Sequence, residues 1–172
     1  MATNLEFIKE VNAVQTANVN VTDIFTTKYD VYKIYARFTG NSSTGYLATR
    51  FIDAGGSVIS DGEYHNAAVY MRTYDTYFEG RGTTNTSMIL TYNQDFGGGG
   101  ADFTIYNPAD SSKFTFAKGV AMGGTNSGGY GWNTERISMH DQTEAISGIS
   151  FLSGSGSQDY EVLQVSVYGV VE

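Results

Sequence analysis

The chain has 172 residues, no cysteine, a formal net charge of −8, and 41% apolar and 14% aromatic residues. That length supplies one core able to bury about two-thirds of the unfolded surface, so neither a metal nor a disulfide is needed for stability. The lack of cysteine excludes disulfides and thiolate chemistry. The ten basic residues (Lys9, Lys28, Lys33, Arg37, Arg50, Arg72, Arg81, Lys113, Lys118, Arg136) are scattered, which excludes a clustered basic surface for nucleic acid.

In chain order, "MATNLEFIKEVNAVQ" has no apolar run of signal-peptide length, so the chain is expected to be used without a cleavable signal. No stretch reaches the eighteen or so apolar residues of a membrane span, so no membrane insertion is expected. The first predicted strand is Leu5–Val11, an edge strand. Leu5, Phe7 and Val11 are read as covering one sheet, with Glu6, Lys9 and Glu10 in water. A second strand is expected over Val19–Phe25. In "DVYKIYARF", Tyr32, Ile34, Ala36 and Phe38 share one face against Lys33 and Arg37. Tyr46–Ile52 follows, and then "AVYMRTY", where Val69, Met71 and Thr73 oppose Tyr70, Arg72 and Tyr74. "SMILTYN" places Met88, Leu90 and Tyr92 together, and "ADFTIYN" does the same for Phe103 and Ile105. "KFTFA" sets Phe114 and Phe116 against Lys113 and Thr115. Glu135–His140 and Ile146–Leu152 precede a last strand with Leu163, Val165 and Val167 on one face.

Turn signals such as "TGNSSTG", "DAGGS", "FGGGGAD", "NPADSS" and "GSGSQD" separate these runs. About ten short strands at such spacing predict an all-β domain. The expected fold is a two-sheet antiparallel sandwich of jelly-roll or Greek-key type, formed by residues 1–172 as a single domain.

Chemistry-bearing motifs are few. "DFGGGG" lacks the helix and spacing of a nucleotide loop and reads as a hairpin. No G-x-S-x-G occurs, and His65 and His140 stand without a supporting motif, so they are read as structural or solvated. H-x-H, H-E-x-x-H and EF-hand patterns are absent. Asp53, Asp61, Glu63, Asp75, Asp95 and Asp110 are read as a solubilising acidic surface. No catalytic residue, metal or cofactor is therefore assigned.

Two aromatic clusters remain. "MRTYDTYFEGRG" brings Tyr74, Tyr77 and Phe78 close to Arg72 and Arg81. "GGTNSGGYGWNTER" sets Tyr130 and the single tryptophan, Trp132, in a glycine-rich loop. Such residues suit interface hot spots or stacking on sugar rings. Trp132 could equally plug one end of the sandwich, and the sequence leaves both open.

The order "VTDIFTTKYDVYKI", "GEYHNAAVYMRT", "TIYNPAD", "AISGISFLSGSG" and "VSVYGV", from Leu5 to Val170, resembles small β-sandwich virion proteins of tailed bacteriophages, of the type found in short-tailed marine and cyanobacterial phages. The resemblance brings no catalytic residues. It implies a non-enzymatic virion protein in many symmetry-related copies or as a homo-oligomer. Its partners would be other virion proteins, either capsid or fibre subunits. A capsid decoration or knob is the expected role, without the heptads or shaft of a complete fibre. The alternative is a fibre-tip adhesin binding a host surface glycan through Tyr74, Tyr77, Phe78, Tyr130 and Trp132. Leu5, Phe7 and Val11 are the expected subunit contact, since an edge strand presents unpaired backbone groups.

Overall fold

The computed structural model describes residues 4–40, 46–73, 77–92, 98–124, 131–153 and 160–171. In these, twelve strands run in chain order: β1 (Leu5–Thr16), β2 (Asn18–Val21), β3 (Val31–Gly40), β4 (Tyr46–Asp53), β5 (Tyr64–Arg72), β6 (Phe78–Asn85), β7 (Met88–Tyr92), β8 (Gly99–Tyr106), β9 (Thr115–Gly124), β10 (Gly131–His140), β11 (Ile146–Ser153) and β12 (Tyr160–Val170). They form an eight-stranded sheet, ordered β1-β12-β3-β8-β9-β10-β5-β6, and a four-stranded sheet, ordered β2-β11-β4-β7. All pairings between them are antiparallel. The expected all-β sandwich is the fold the chain adopts. No helix among the described residues is long and apolar enough to cross a membrane.

The chain passes repeatedly between the sheets, so most neighbours in the large sheet are far apart in sequence. β12 lies between β1 and β3, with Phe7 opposite Tyr168 and Leu163 opposite Phe38. The last strand thereby ties the first one into the sheet. Local turns have local causes. At "DAGGS", Gly56 takes φ +87°, and its N–H reaches the Asp53 carbonyl at 3.1 Å while the Asp53 side chain accepts from Ser57 N–H at 2.9 Å. A left-handed residue here lets the chain reverse without a Cβ clash.

The core lies between the sheets. Tyr32, Ile34, Phe38, Phe103, Ile105, Leu163, Val165 and Val167 face it from the large sheet, and Val21, Leu47, Phe51, Met88, Ile149 and Phe151 from the small one. Phe103 and Phe151 meet across it at 6.3 Å between ring centroids. The apolar faces expected for β3, β8 and β12 are the buried ones, and Met88 and Leu90 of β7 are buried as expected. Tyr64 bolts β4 to β5: its hydroxyl accepts Phe51 N–H at 2.9 Å and donates to Ile59 carbonyl at 3.2 Å.

Four expectations are corrected. The strand β6, "FEGRGTTN", has no apolar alternation and was not expected; it forms by pairing along β5. Trp132 lies on strand β10, opposite Arg72, rather than in a loop. On β9 the faces are reversed: Thr115, Ala117 and Ala121 are buried, whereas Phe114 and Phe116 are 41% and 43% exposed. On β1 a bulge between Phe7 and Lys9 shifts the register by one residue. One extra residue moves every later side chain to the other face. Val11 therefore packs on the core while Leu5 and Phe7 lie on the outer face, and Lys9 turns inward to donate to the Thr22 carbonyl at 2.8 Å.

Candidate functional site

Strand β9 and its neighbours β10 and β5 define the outer face at one side of the large sheet. Inward, these strands present Thr115, Thr134, Arg136, Ser138, His140, Asn66 and Tyr70, all buried. Ser138, Asn66, Arg136 and Tyr70 are hydrogen-bonded in pairs, whereas the buried Thr115 and Thr134 hydroxyls have no hydrogen-bond partner among the described residues. Ser138 Oγ donates to Asn66 Oδ1 at 2.6 Å, Asn66 Nδ2 donates to Ser87 carbonyl at 3.1 Å, and Arg136 Nη2 donates to the Tyr70 hydroxyl at 2.5 Å. Such pairs can be buried because their members satisfy one another. Outward, the same strands present Phe116, Val120, Met122, Ile137, Val69 and Met71, all among the exposed large apolar side chains.

Register places these side chains side by side. Val120 faces Glu135, which faces Val69; Met122 faces Asn133, which faces Met71; Lys118 faces Ile137, which faces Ala67. Further along, Tyr106 lies opposite Phe116. The outer apolar surface continues to the β1 edge through Tyr35, Tyr168 and Phe7, whose rings meet edge-on at 5.9 and 5.7 Å. Between the two stretches is a shallow depression of about 580 Å³ lined by Tyr35, Arg37, Asp102, Val120, Met122 and Gln164, with Gly100 in its floor. Lys33 and Asp102 pair beside it at 3.2 Å. Eight strands about 4.8 Å apart, with about ten residues rising 3.3 Å each, give a face of about 1,100 Å². Charged side chains, Lys33, Asp102, Lys118 and Glu135 among them, share this face with the apolar ones, so only part of that area is apolar. The cluster of solvent-facing apolar side chains makes this face a candidate contact surface.

A second feature lies where β5, β6 and β10 meet. The Arg72 guanidinium is 4.1 Å from the Phe78 ring and 4.5 Å from the Trp132 ring. Phe78 stacks on Tyr70 at 4.5 Å and meets Trp132 edge-on at 6.1 Å. Each cation–π contact stabilises by about 0.5–2 kcal/mol, depending on how dry it is. Adjacent to this ladder, Asn66, Tyr70, Gly80, Arg81, Asn85 and Arg136 line a cleft of about 100 Å³. Two sequence-predicted clusters are thus brought together through Phe78 and Trp132, both half-buried. Tyr77 stands apart as a 74% exposed ring. Tyr74 and Tyr130 lie outside the described residues. Leu5 and Phe7 are exposed at the β1 edge, 39% and 56%, and Val11 is half-buried beneath.

The histidines are not solvated bystanders. His65 Nε2 lies 2.8 Å from Asp141 Oδ2, and this contact holds the Asp141 carboxyl below its usual range. His140 is fully buried. Its Nε2 lies 3.1 Å from Glu63 Oε2, and neither pairing has a local sequence signal, because each joins the start of β5 to the end of β10.

No protein-family model and no curated protein matches the chain. Among solved structures, one described as the CBM2 module of Lactobacillus casei BL23 phage J-1 evolved Dit is similar at 11% identity and a TM-score of 0.29, covering 93% of this chain and 75% of that one. A likeness at that score carries no argument about this chain.

Proposed function

We propose that this protein is a non-enzymatic structural component of a phage particle, located on the virion, where it docks onto capsid or other virion subunits in many symmetry-related copies. The observation that carries the docking is the cluster of exposed apolar side chains on β5, β9 and β10. Phe116, Val120, Met122, Ile137, Val69 and Met71 face outward from three adjacent strands, with Lys118 and Glu135 between them, while Asn66, Thr134, Arg136 and Ser138 face the sandwich. Clustered apolar side chains on a solvent-facing sheet favour covering of that face. The phage assignment rests on the sequence resemblance, and the docking on the sheet. A capsid decoration or knob is the specific form proposed.

Analysis of purified particles by gel and mass spectrometry tests it, together with the double substitution Val120→Lys and Ile137→Lys. The wild-type chain is expected in particles at fixed stoichiometry, and the folded double variant is expected to be lost from them. Absence of the chain from particles, or full occupancy by the variant, refutes the proposal. Release of oligosaccharides from host polysaccharide would refute its non-enzymatic part.

The cleft beside the Arg72 ladder favours a second reading, a fibre-tip adhesin for host surface glycan. Arginine, asparagine and tyrosine line it, and such groups hydrogen-bond to sugar hydroxyls, with Trp132, Phe78 and Tyr77 nearby for stacking. A host-glycan array decides: binding lost in Tyr77→Ala and Trp132→Ala variants supports this reading, and no binding removes it.

A further inference from the structure

We propose that Glu63, His140 and Glu144 form a binding site for a divalent transition-metal cation of the Zn²⁺ class, at the junction of β5 and β10. The site is built by register. His140 ends β10 directly opposite Tyr64, which begins β5, so Glu63 sits next to the imidazole. A backbone bond from Asp141 N–H to the Glu63 carbonyl at 3.0 Å ties the two segments. Glu144, four residues beyond His140, comes back from the following loop.

Both carboxylates converge on the same nitrogen. His140 Nε2 is 3.1 Å from Glu63 Oε2 and 3.5 Å from Glu144 Oε1. The ligand atoms of all three residues lie within 4.8 Å of one another. Around a tetrahedral cation with bonds of about 2.0–2.1 Å, neighbouring ligand atoms are about 3.3–3.4 Å apart, which the two measured separations bracket. One N–H cannot serve both carboxylates well, and Glu63 and Glu144 act on one another as like charges. A cation seated between the three atoms would offset that repulsion.

Orientation is already in place. The His140 side chain is fully buried, with its ring against Phe51 at 5.9 Å and Tyr64 at 5.4 Å. Glu63 and Glu144 remain 26% and 38% exposed, so an ion can reach the site from solvent. An imidazole nitrogen with two carboxylate oxygens selects a borderline transition metal over Ca²⁺ or Mg²⁺, which prefer all-oxygen shells. Metal on Nε2 moves the ring proton to Nδ1, which is buried and has no hydrogen-bond partner among the described residues. Zinc-bound histidines usually donate that proton to an acceptor, so affinity is expected in the micromolar range rather than that of a structural zinc site.

The test is competition for Zn²⁺ between the EDTA-stripped full chain and a chromophoric chelator, with thermal melts alongside. Wild type is expected to bind one Zn²⁺ per chain and to melt at higher temperature in its presence. Glu63→Gln and Glu144→Gln keep shape, remove charge and touch partly exposed groups, so both are expected to fold. Each should weaken Zn²⁺ at least about tenfold, and His65→Ala should leave it unchanged. No Zn²⁺ bound by wild type, undiminished binding by both glutamine variants, or loss in His65→Ala overturns the proposal.

Discussion

Two buried tyrosines should respond in opposite ways to the same substitution. Tyr64 and Tyr160 are 0% and 1% exposed, so replacing either by Phe removes one oxygen from a dry site. At Tyr64 that oxygen serves two backbone groups, Phe51 N–H and Ile59 C=O. A buried donor or acceptor stripped of its partner costs about 1–3 kcal/mol. The 3.2 Å bond is the weaker of the two, so Tyr64→Phe is expected to lose about 2–3 kcal/mol in all. For a chain of this size that corresponds to a fall in Tm of about 5–10 °C. The Tyr160 hydroxyl is buried and has no hydrogen-bond partner among the described residues. Removing it relieves an unpaid desolvation, so Tyr160→Phe should be neutral or stabilising by up to about 1 kcal/mol. Urea titration followed by circular dichroism measures both, with the midpoint shifting at constant slope. Equal effects in the two variants, or a Tyr64→Phe loss below about 0.5 kcal/mol, would refute the hydrogen-bond reasoning.

Burial also raises both phenols above their ordinary value of 10.0. Above that pH the unfolded chain sheds phenolic protons that the folded chain keeps, so stability is complete below pH 10 and falls as pH rises beyond it. The slope contributed should approach about 1.4 kcal/mol per pH unit for each phenol, and urea melts through alkaline pH should show about that much of the slope lost in Tyr64→Phe. A Cβ on Gly119 would lie 2.3 Å from Phe103 Cβ and 2.4 Å from Asp102 carbonyl. Gly119→Ala is therefore expected to force β8 and β9 apart and to cost more than about 3 kcal/mol, or to prevent folding, as read by soluble yield and melting. Leu5→Ser with Phe7→Ser touches exposed side chains and should change stability by no more than about 1 kcal/mol, yet lower particle occupancy; unchanged occupancy would remove the β1 edge as a contact.

Much of the architecture was legible in the sequence because a strand in a sandwich must alternate. Tyr32 to Phe38 and Leu163 to Val167 carry unbroken apolar faces, and both faces are buried. Alternation identifies two faces without saying which one a second sheet will cover. On β9, phenylalanine was the natural choice for the interior, yet Phe116 lies outside. There β7 packs over β9, β10 and β5; small Ala117 and Ala121 line the inner face of β9, while β10 and β5 pair Ser138 with Asn66 and Arg136 with Tyr70. β6 was hidden because Gly80 and Gly82 leave no apolar period, and its strand conformation comes from pairing with β5. The bulge at Phe7/Lys9 was equally hidden, since one inserted residue changes the facing of β1 without changing its composition. The sites depend still more on tertiary structure. Arg72, Phe78 and Trp132 meet only because β6 and β10 flank β5, and Glu63 reaches His140 across 77 positions only through the β5–β10 register. Local patterning determines which segments become strands, whereas the pairing of distant strands decides which face is covered and which side chains share a site.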